Sequence, residues 1–360
     1  MDQLEQTRKI INEVDVEMAK LFVRRMEAAE MVAEYKKQHG LPILDAAREE
    51  EVIRRGSDRV EDTTLREYYV NFIQNNMAIS RAYQHRLAEG MRVAYSGTEG
   101  AFAHIATGKL FPTAEKIAHP DFTAAYRAVE EGKCDVAVLP IENSYNGEVG
   151  QVTDLMFSGN LYVNAVLDLA VSHDLLVVPG TEKREIKTII SHPQALGQCA
   201  NYIRANGWET QEYINTALAA RFVAESGDHS IAALASEDAA GVFGLEVMER
   251  NVNASRSNTT RFAVFSRAED RRLDSRMGEH FIMVFTVKNE AGSLARAIDI
   301  IGQHGFNMRN LRSRPMKELL WQYYFYVEAE GNIHSDEGKA MLNDLESFCD
   351  RLKVVGTYIV

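Results

Sequence analysis

Cysteine is scarce in this chain. Three residues in 360, Cys134, Cys199 and Cys349, lie far apart with no paired metal-ligand spacing. That pattern offers neither a disulfide framework nor a zinc site and suits a reduced, cytoplasmic setting. No apolar run reaches 18 residues, so no membrane span is expected. The opening MDQLEQTRKI is charged and helical, unlike a secretory leader. Basic residues are outnumbered: 40 Lys and Arg against 52 Asp and Glu leave a net charge of −12. Nucleic acid is therefore excluded as a main partner, because phosphate binding needs a basic face. GxGxxG is missing, which disfavours a nicotinamide dinucleotide, and so is GxSxG. Internal repeats and low-complexity segments are absent as well.

What remains is an ordinary globular composition, 46% hydrophobic and 26% charged, long enough for two or three domains. Residues 1–89 contain little glycine or proline beyond Gly40, Pro42 and Gly56. Their periodicity predicts a long helix over about 3–38, a short one opening at Asp45 and a third over about 62–88, ended by Gly90. From Met91 short apolar runs alternate with Gly-containing turns and amphipathic helices (MRVAYSG, CDVAVLPIEN, IKTIISHPQAL, HSIAALAS). This predicts an α/β domain over 91–267 with mainly parallel strands. The charged stretch 268–279 reads as a linker. Residues 279–360 follow the order βαββαβ, the mark of a ferredoxin-like α+β module.

The first helix poses a problem. Ile11, Val14, Met18, Leu21, Ala28 and Val32 form one apolar stripe, yet Arg25 falls on it and Lys36 lies beside its end. The two are 11 residues apart, three turns plus about 20°, and point the same way. Arg8 stands about 100° around the helix, so it would serve a second copy's pocket more readily than its own. Asp45 is a plausible N-cap, with Arg48 and Glu49 following it. Ser80 and Gln84 continue the stripe of Leu65, Tyr69, Phe72, Ile73 and Leu87. Any one polar residue could belong to a solvated face. Three helices turning polar groups toward one interior outweigh that reading, since unpartnered charges would be costly there.

These residues carry a resemblance. LEQTRKIINEVD, the Arg25–Lys36 spacing and GLPILDAAREEEV resemble the all-helical class of chorismate mutase, fused as in the bifunctional chorismate mutase–prephenate dehydratases. The resemblance implies a chorismate site of Arg8, Arg25, Lys36, Asp45, Arg48, Glu49, Ser80 and Gln84, with Arg8 reaching into a partner's pocket in an interlocked dimer. Arg8 and Arg25 would hold the two carboxylates with Arg48 in support. Lys36 and Gln84 would stabilise charge growing on the ether oxygen. Glu49, Ser80 and the Asp45 backbone would receive the substrate hydroxyl.

YSGTEGAFAH, LPIENSYNGEV, SHPQALGQC, NTALAA and SNTTRFAVF, in that order, resemble prephenate dehydratase over nearly all of 91–267. The family more often has Thr and Ser at Ala101 and Ala103, and Ile-Glu at Tyr145-Asn146. The resemblance implies a two-lobed domain that needs no cofactor or metal, with Thr260 touching the departing hydroxyl and Asn143, Ser144 and Gln194 binding prephenate. Arg261 either pairs with a substrate carboxylate or forms a structural ion pair. Glu142 is either a structural acceptor or part of the site, and His192 orders its loop.

NEAGSLARAIDIIGQHGFNMRNLRSRP resembles the ACT domain of the same family, which binds phenylalanine at a subunit interface. Gly292, Ser293, Leu294, Asn307, Leu311 and Ser313 are the implied effector residues, with Ser293 as expected N-cap. Family members commonly carry Glu where Arg312 stands, a charge reversal beside the expected effector site. The whole chain thus reads as a phenylalanine-regulated mutase and dehydratase, a homodimer or larger. The alternative is an active mutase fused to a non-catalytic small-molecule sensor.

Overall fold

The computed structural model describes residues 3–254, 258–270, 279–316 and 322–359. Most of the expected linker, 271–278, lies outside them. The chain divides into two compact units, 1–92 and 93–360. Among the described residues no helix is long and apolar enough to cross a membrane, and no cluster of three or more His, Cys, Asp or Glu could hold a metal.

The first unit is helical: α1 (Gln3–His39), α2 (Ala46–Ser57) and α3 (Thr63–Glu89). Asp45 caps α2 by accepting from the Arg48 N–H at 3.0 Å, and Asp62 caps α3. Each satisfies N–H groups that a helix start leaves open. The expected stripe on α1 does not find cover within the chain. Leu21 is 62% and Val14 51% exposed, while the buried positions of α1 are the small residues Ala29 and Ala33. α1 and α3 approach closely where alanine permits, and the larger apolar groups stay open.

The second unit begins with β1 (Arg92–Ser96), α4 (Phe102–Leu110), β2 (Glu115–His119), α5 (Phe122–Glu130), β3 (Val136–Asn143), β4 (Gly147–Glu148), α6 (Gly150–Ser158) and β5 (Tyr162–Ala170). The chain then builds a second lobe: β6 (Asp174–Val177), β7 (Thr188–Ser191), α7 (Pro193–Gln198), α8 (Ala200–Asn206), β8 (Glu209–Glu212), α9 (Thr216–Ser226), β9 (Ile231–Ala235), α10 (Glu237–Phe243) and β10 (Glu246–Glu249). It returns through β11 (Thr259–Ser266) and continues into β12 (Glu279–Thr286), α11 (Ser293–Gln303), β13 (Asn307–Pro315), β14 (Tyr323–Glu330), α12 (Asp336–Glu346) and β15 (Arg351–Ile359).

The sheets are mixed rather than mainly parallel. β1 and β3 run parallel, but β11 returns from the second lobe and inserts antiparallel to both β3 and β5. Among the described residues the second lobe has its own sheet in the order β10-β6-β9-β7-β8. The last six elements give the expected βαββαβ order, with strands arranged β13-β14-β12-β15. The last helix stops at Glu346, short of the expected 351, because a turn at 347–349 redirects the chain into β15.

This last module is not a separate body. β15 pairs parallel with β5, so one sheet runs β13-β14-β12-β15-β5-β11-β3-β1-β2. The contact requires Gly356, where a Cβ would run into the Val163 backbone. Its core is continuous too: Tyr126, Phe265 and Met156 pack with Ile282, Tyr324 and Tyr358. Rings buried so completely stabilise by about 2 kcal/mol each, enough to bind the two parts as one unit.

Candidate active sites

In the helical unit the structure brings Arg25 of α1 to Ser80 of α3, with Gln84 about one turn further along α3. Arg25 donates to the Ser80 hydroxyl and, at 3.2 Å, to the Asn76 carbonyl. Burial pulls its guanidinium below the ordinary value. Ser80 and Gln84 are buried, and the Gln84 Oε1 has no hydrogen-bond partner. A buried amide oxygen left unpaired costs about 1–3 kcal/mol, so the position suits a ligand better than a core. Lys36 donates to the Ile43 carbonyl at 2.5 Å, at the α1–α2 connection. Glu49 is held by Arg81, which the sequence reading missed because a cation on α3 carries no motif of its own. Asp45 is occupied as a cap, and exposed Arg48 pairs with Glu51 at 2.5 Å. Arg8 is exposed on the first turns of α1.

In the second unit a cavity of about 750 Å³ is the size of a small-molecule site. Its wall takes residues from four helix starts: Ala101 and Phe102 of α4, Gly150 and Gln151 of α6, His192 and Gln194 of α7, Asn215 and Thr216 of α9. α7 and α9 are capped by His192 and Asn215. α4 and α6 have no capping side chain, because Ala101 and Val149 stand at those positions. Apart from the Val152 N–H, which donates to the Val149 carbonyl at 2.9 Å, their first-turn N–H groups are thus available to an anion. Among the described lining residues there is no Arg or Lys, and the Glu148 carboxylate is taken by Arg314 at 2.7 Å.

Thr260 and Asn143 face each other across the β3–β11 ladder. Asn143 is fixed in one orientation. Its Oδ1 accepts from the N–H groups of Tyr145 and Asn146 at 3.0 and 2.9 Å, so its Nδ2 must donate. That amide reaches Thr260 Oγ1 at 2.9 Å and Asn258 Oδ1 at 2.8 Å. With a lone pair of Oγ1 engaged, the Thr260 proton is left to point at a ligand. The same polarity runs on: Asn258 Nδ2 donates to Gln198 Oε1 at 3.1 Å, and that oxygen lies 2.9 Å from His173 Nε2. His173 must therefore carry its proton on Nε2. Burial lowers its pKa and keeps it neutral, and its Nδ1 has no partner. His173, Gln198 and Asn258 all line the cavity. Gln198 and Asn258 lay inside the quoted stretches and His173 outside them, and their residue types alone did not distinguish them.

Two expected prephenate ligands sit elsewhere. Arg261, one residue along β11 from Thr260, points to the other face of the sheet. It forms a two-pronged pair with Asp168 at 2.8 and 3.1 Å and a third bond to buried Glu328 at 3.2 Å. The Asp168 bond leads the causes that raise its pKa. Of its two readings, the structural ion pair is the one realised. Ser144 is turned to the backbone, its hydroxyl accepting from the Thr259 N–H at 2.9 Å. Gln194 lines the cavity as expected, and His192 caps α7.

In the C-terminal module the N-cap of α11 is Gly292, with left-handed φ of 86°, and Ser293 is the first helical residue. A residue without a Cβ takes that φ at no steric cost, which displaces the expected cap by one. Leu294 is half-buried. Asn307, Leu311 and Ser313 share the open face of edge strand β13, where Asn307 donates to Glu330 at 2.8 Å. Arg312 lies on the covered face instead, so its charge does not adjoin theirs.

Comparison with known proteins follows the same division. The chain matches the family described as chorismate mutase type II over residues 7–85 and the family described as prephenate dehydratase over 93–270. It is 28% identical to a bifunctional chorismate mutase/prephenate dehydratase of Enterobacter agglomerans, across 98% of this chain and 94% of that one. It is 32% identical to arogenate dehydratase/prephenate dehydratase 1 of Arabidopsis thaliana, across 74% of this chain and 72% of that one. The fold also matches a prephenate dehydratase of Arthrobacter aurescens solved with L-Phe, with a TM-score of 0.69 and 24% identity over 75% of this chain and 90% of that one.

Proposed function

We propose a residue-level mechanism for a chain that belongs to the bifunctional chorismate mutase/prephenate dehydratase family. It is an enzyme with two activities, converting chorismate to prephenate and prephenate to phenylpyruvate. In the first reaction the C–O ether bond breaks while a C–C bond forms, with no proton moved. Arg25 holds a substrate carboxylate, Lys36 and Gln84 donate to the ether oxygen as charge grows there, and Ser80 and Glu49 orient the ring hydroxyl. The unpaired Gln84 oxygen fits an amide that turns to present its N–H₂ to the substrate. Arg8 comes from a second copy, with the open stripe of α1 as the surface two copies share; the open faces of Leu21 and Val14 support this dimer.

In the second reaction the electron pair of the ring carbon–carboxylate bond enters the ring. CO2 leaves, and the pair expels the hydroxyl on the opposite carbon, which takes one proton and departs as water. Thr260 donates toward that hydroxyl. A threonine is a weak acid, so it orients and relays the proton rather than supplying it outright. Asn143, its amide hydrogens committed to Thr260 and Asn258, orients the Thr260 hydroxyl; Gln194 holds the substrate, and the open N–H groups of α4 and α6 receive the side-chain carboxylate. The observation that carries this reading is the Asn143–Thr260 bond of fixed polarity in the cavity wall. The C-terminal module acts as an ACT domain that senses phenylalanine through Gly292, Ser293, Leu294, Asn307, Leu311 and Ser313.

The test is a stopped assay of the purified chain on chorismate, following prephenate and phenylpyruvate separately with and without phenylalanine. Phenylpyruvate formation suppressed by phenylalanine is the expected result. Prephenate accumulating alone would favour a mutase joined to a small-molecule sensor.

A further inference from the structure

The C-terminal module grips the cavity wall from behind. Alternation along β3 turns Asn143 toward the cavity and Glu142 to the opposite face. There Glu142 pairs with Arg312 of β13. Arg312 also comes within 3.9 Å of Glu148. Arg314, two residues on and so on the same face, donates to Glu148 at 2.7 Å and to both oxygens of Asp154 at 2.9 and 3.2 Å. Tyr324 of β14 donates to that same Asp154 at 2.7 Å. The three carboxylates mark out residues 142–154, which hold the Asn143 turn and the start of α6.

Arg312 and Arg314 are 17% and 20% exposed, so their charges are far less screened than those of a surface pair. Gly150 supplies an independent observation. A Cβ there would overlap the Arg314 guanidinium, so the first position of α6 leaves room for that cation. The guanidinium of Arg312 also lies over the Tyr326 ring, 5.6 Å from its centroid, which fixes it to β14.

We propose that Arg312 and Arg314 are positioning residues of the dehydratase site, through which β13 holds the Asn143 turn and the start of α6 in place. The assignment rests on the dehydratase reading above. It also gives a purpose to the cation at 312. The residue works on the covered face of β13, toward the cavity, while the expected effector residues occupy the open face. A ligand that tilts β13 would therefore displace Asn143 directly.

A double-mutant cycle in the full-length protein tests this, with Arg312→Gln, Glu142→Gln and the double variant, plus Arg312→Lys. Each Gln variant should lower dehydratase kcat about tenfold while KM for prephenate moves less than about twofold. Mutase turnover should be unchanged, the double variant should be no worse than either single, and Arg312→Lys should recover most of the loss by keeping the charge. Hydrogen exchange over 142–154 should rise in both singles. Additive losses in the cycle, or wild-type exchange and kcat in Arg312→Gln, would overturn the proposal. If the unmodified protein makes no phenylpyruvate, the reaction assignment fails instead, and the exchange data alone decide whether the clamp exists.

Discussion

The helical unit and the α/β cavity both take carboxylated substrates, yet the proposed mechanism has them hold negative charge by different means. In the helical unit the proposed mechanism meets the charge with side-chain cations, Arg25 beside buried Ser80 and Lys36 at the α1–α2 connection. In the cavity the described wall has no Arg or Lys and presents the open starts of α4 and α6. The chemistry explains the contrast. A pericyclic rearrangement keeps every charge and gains by clamping a compact dianion, so full cations help. A decarboxylation must let one carboxylate go, and a cation on it would stabilise the ground state more than the transition state. Partial charges at the starts of α4 and α6 would bind the substrate without holding the leaving group.

This contrast can be attacked at several points. The largest effect is expected from Thr260→Ala, which should cut dehydratase turnover by roughly 10²–10⁴-fold, the usual worth of a positioned proton donor. Mutase turnover measured on the same preparation should stay at the wild-type level; a pure sensor would show no such split. Arg25→Ala comes next. Losing one charge-assisted clamp should lower mutase kcat/KM by about 10²–10³-fold and leave phenylpyruvate formation from added prephenate intact. If both activities fall together in a folded protein, the two sites are not independent.

Gln194→Lys sharpens the comparison from the other side. A cation added to the cavity should lower KM for prephenate and also lower kcat, each by about tenfold, because it strengthens binding of the carboxylate that must leave. A rise in kcat would mean that the lack of Arg and Lys among the described wall residues is incidental. The smallest effect is that of Asp62→Ala, which removes the cap of α3 and should cost about 1 kcal/mol. Calorimetry should show it as a lowered transition of the helical unit alone, since that cap lies within 1–92.

Much of this was legible in the sequence because its signals are local. Helix bounds in residues 1–89 fell within a residue or two of those observed, since Asp45, Asp62 and Gly90 punctuate a stretch otherwise almost free of breakers. The βαββαβ order was legible for the same reason. Strand direction was not, because the insertion of β11 between β3 and β5 depends on a return from another lobe nearly 90 residues later. The choice between the two readings of Arg261 is a subtler case. Thr260 and Arg261 are neighbours in a motif, but a strand sends neighbours to opposite faces, and only the ladder decides which side is the cavity. The relay from Asn143 to His173 was out of reach, since its polarity is set by two backbone N–H groups and it joins four segments of chain.

Gly356 has one further consequence. Because β15 lies against β5 there, the natural place to cut this gene is not where the sequence changes character at 268–279 but at Gly90. A fragment starting at Met91 keeps every sheet partner among the described residues of the second unit. A fragment ending at 267 would strip β5 of its neighbour and bare a long edge strand with Val163 and Leu169 beside it, a template for aggregation. Fusion and fission in such enzymes should therefore shuffle the helical unit freely, while the last 80 residues travel with the cavity they border.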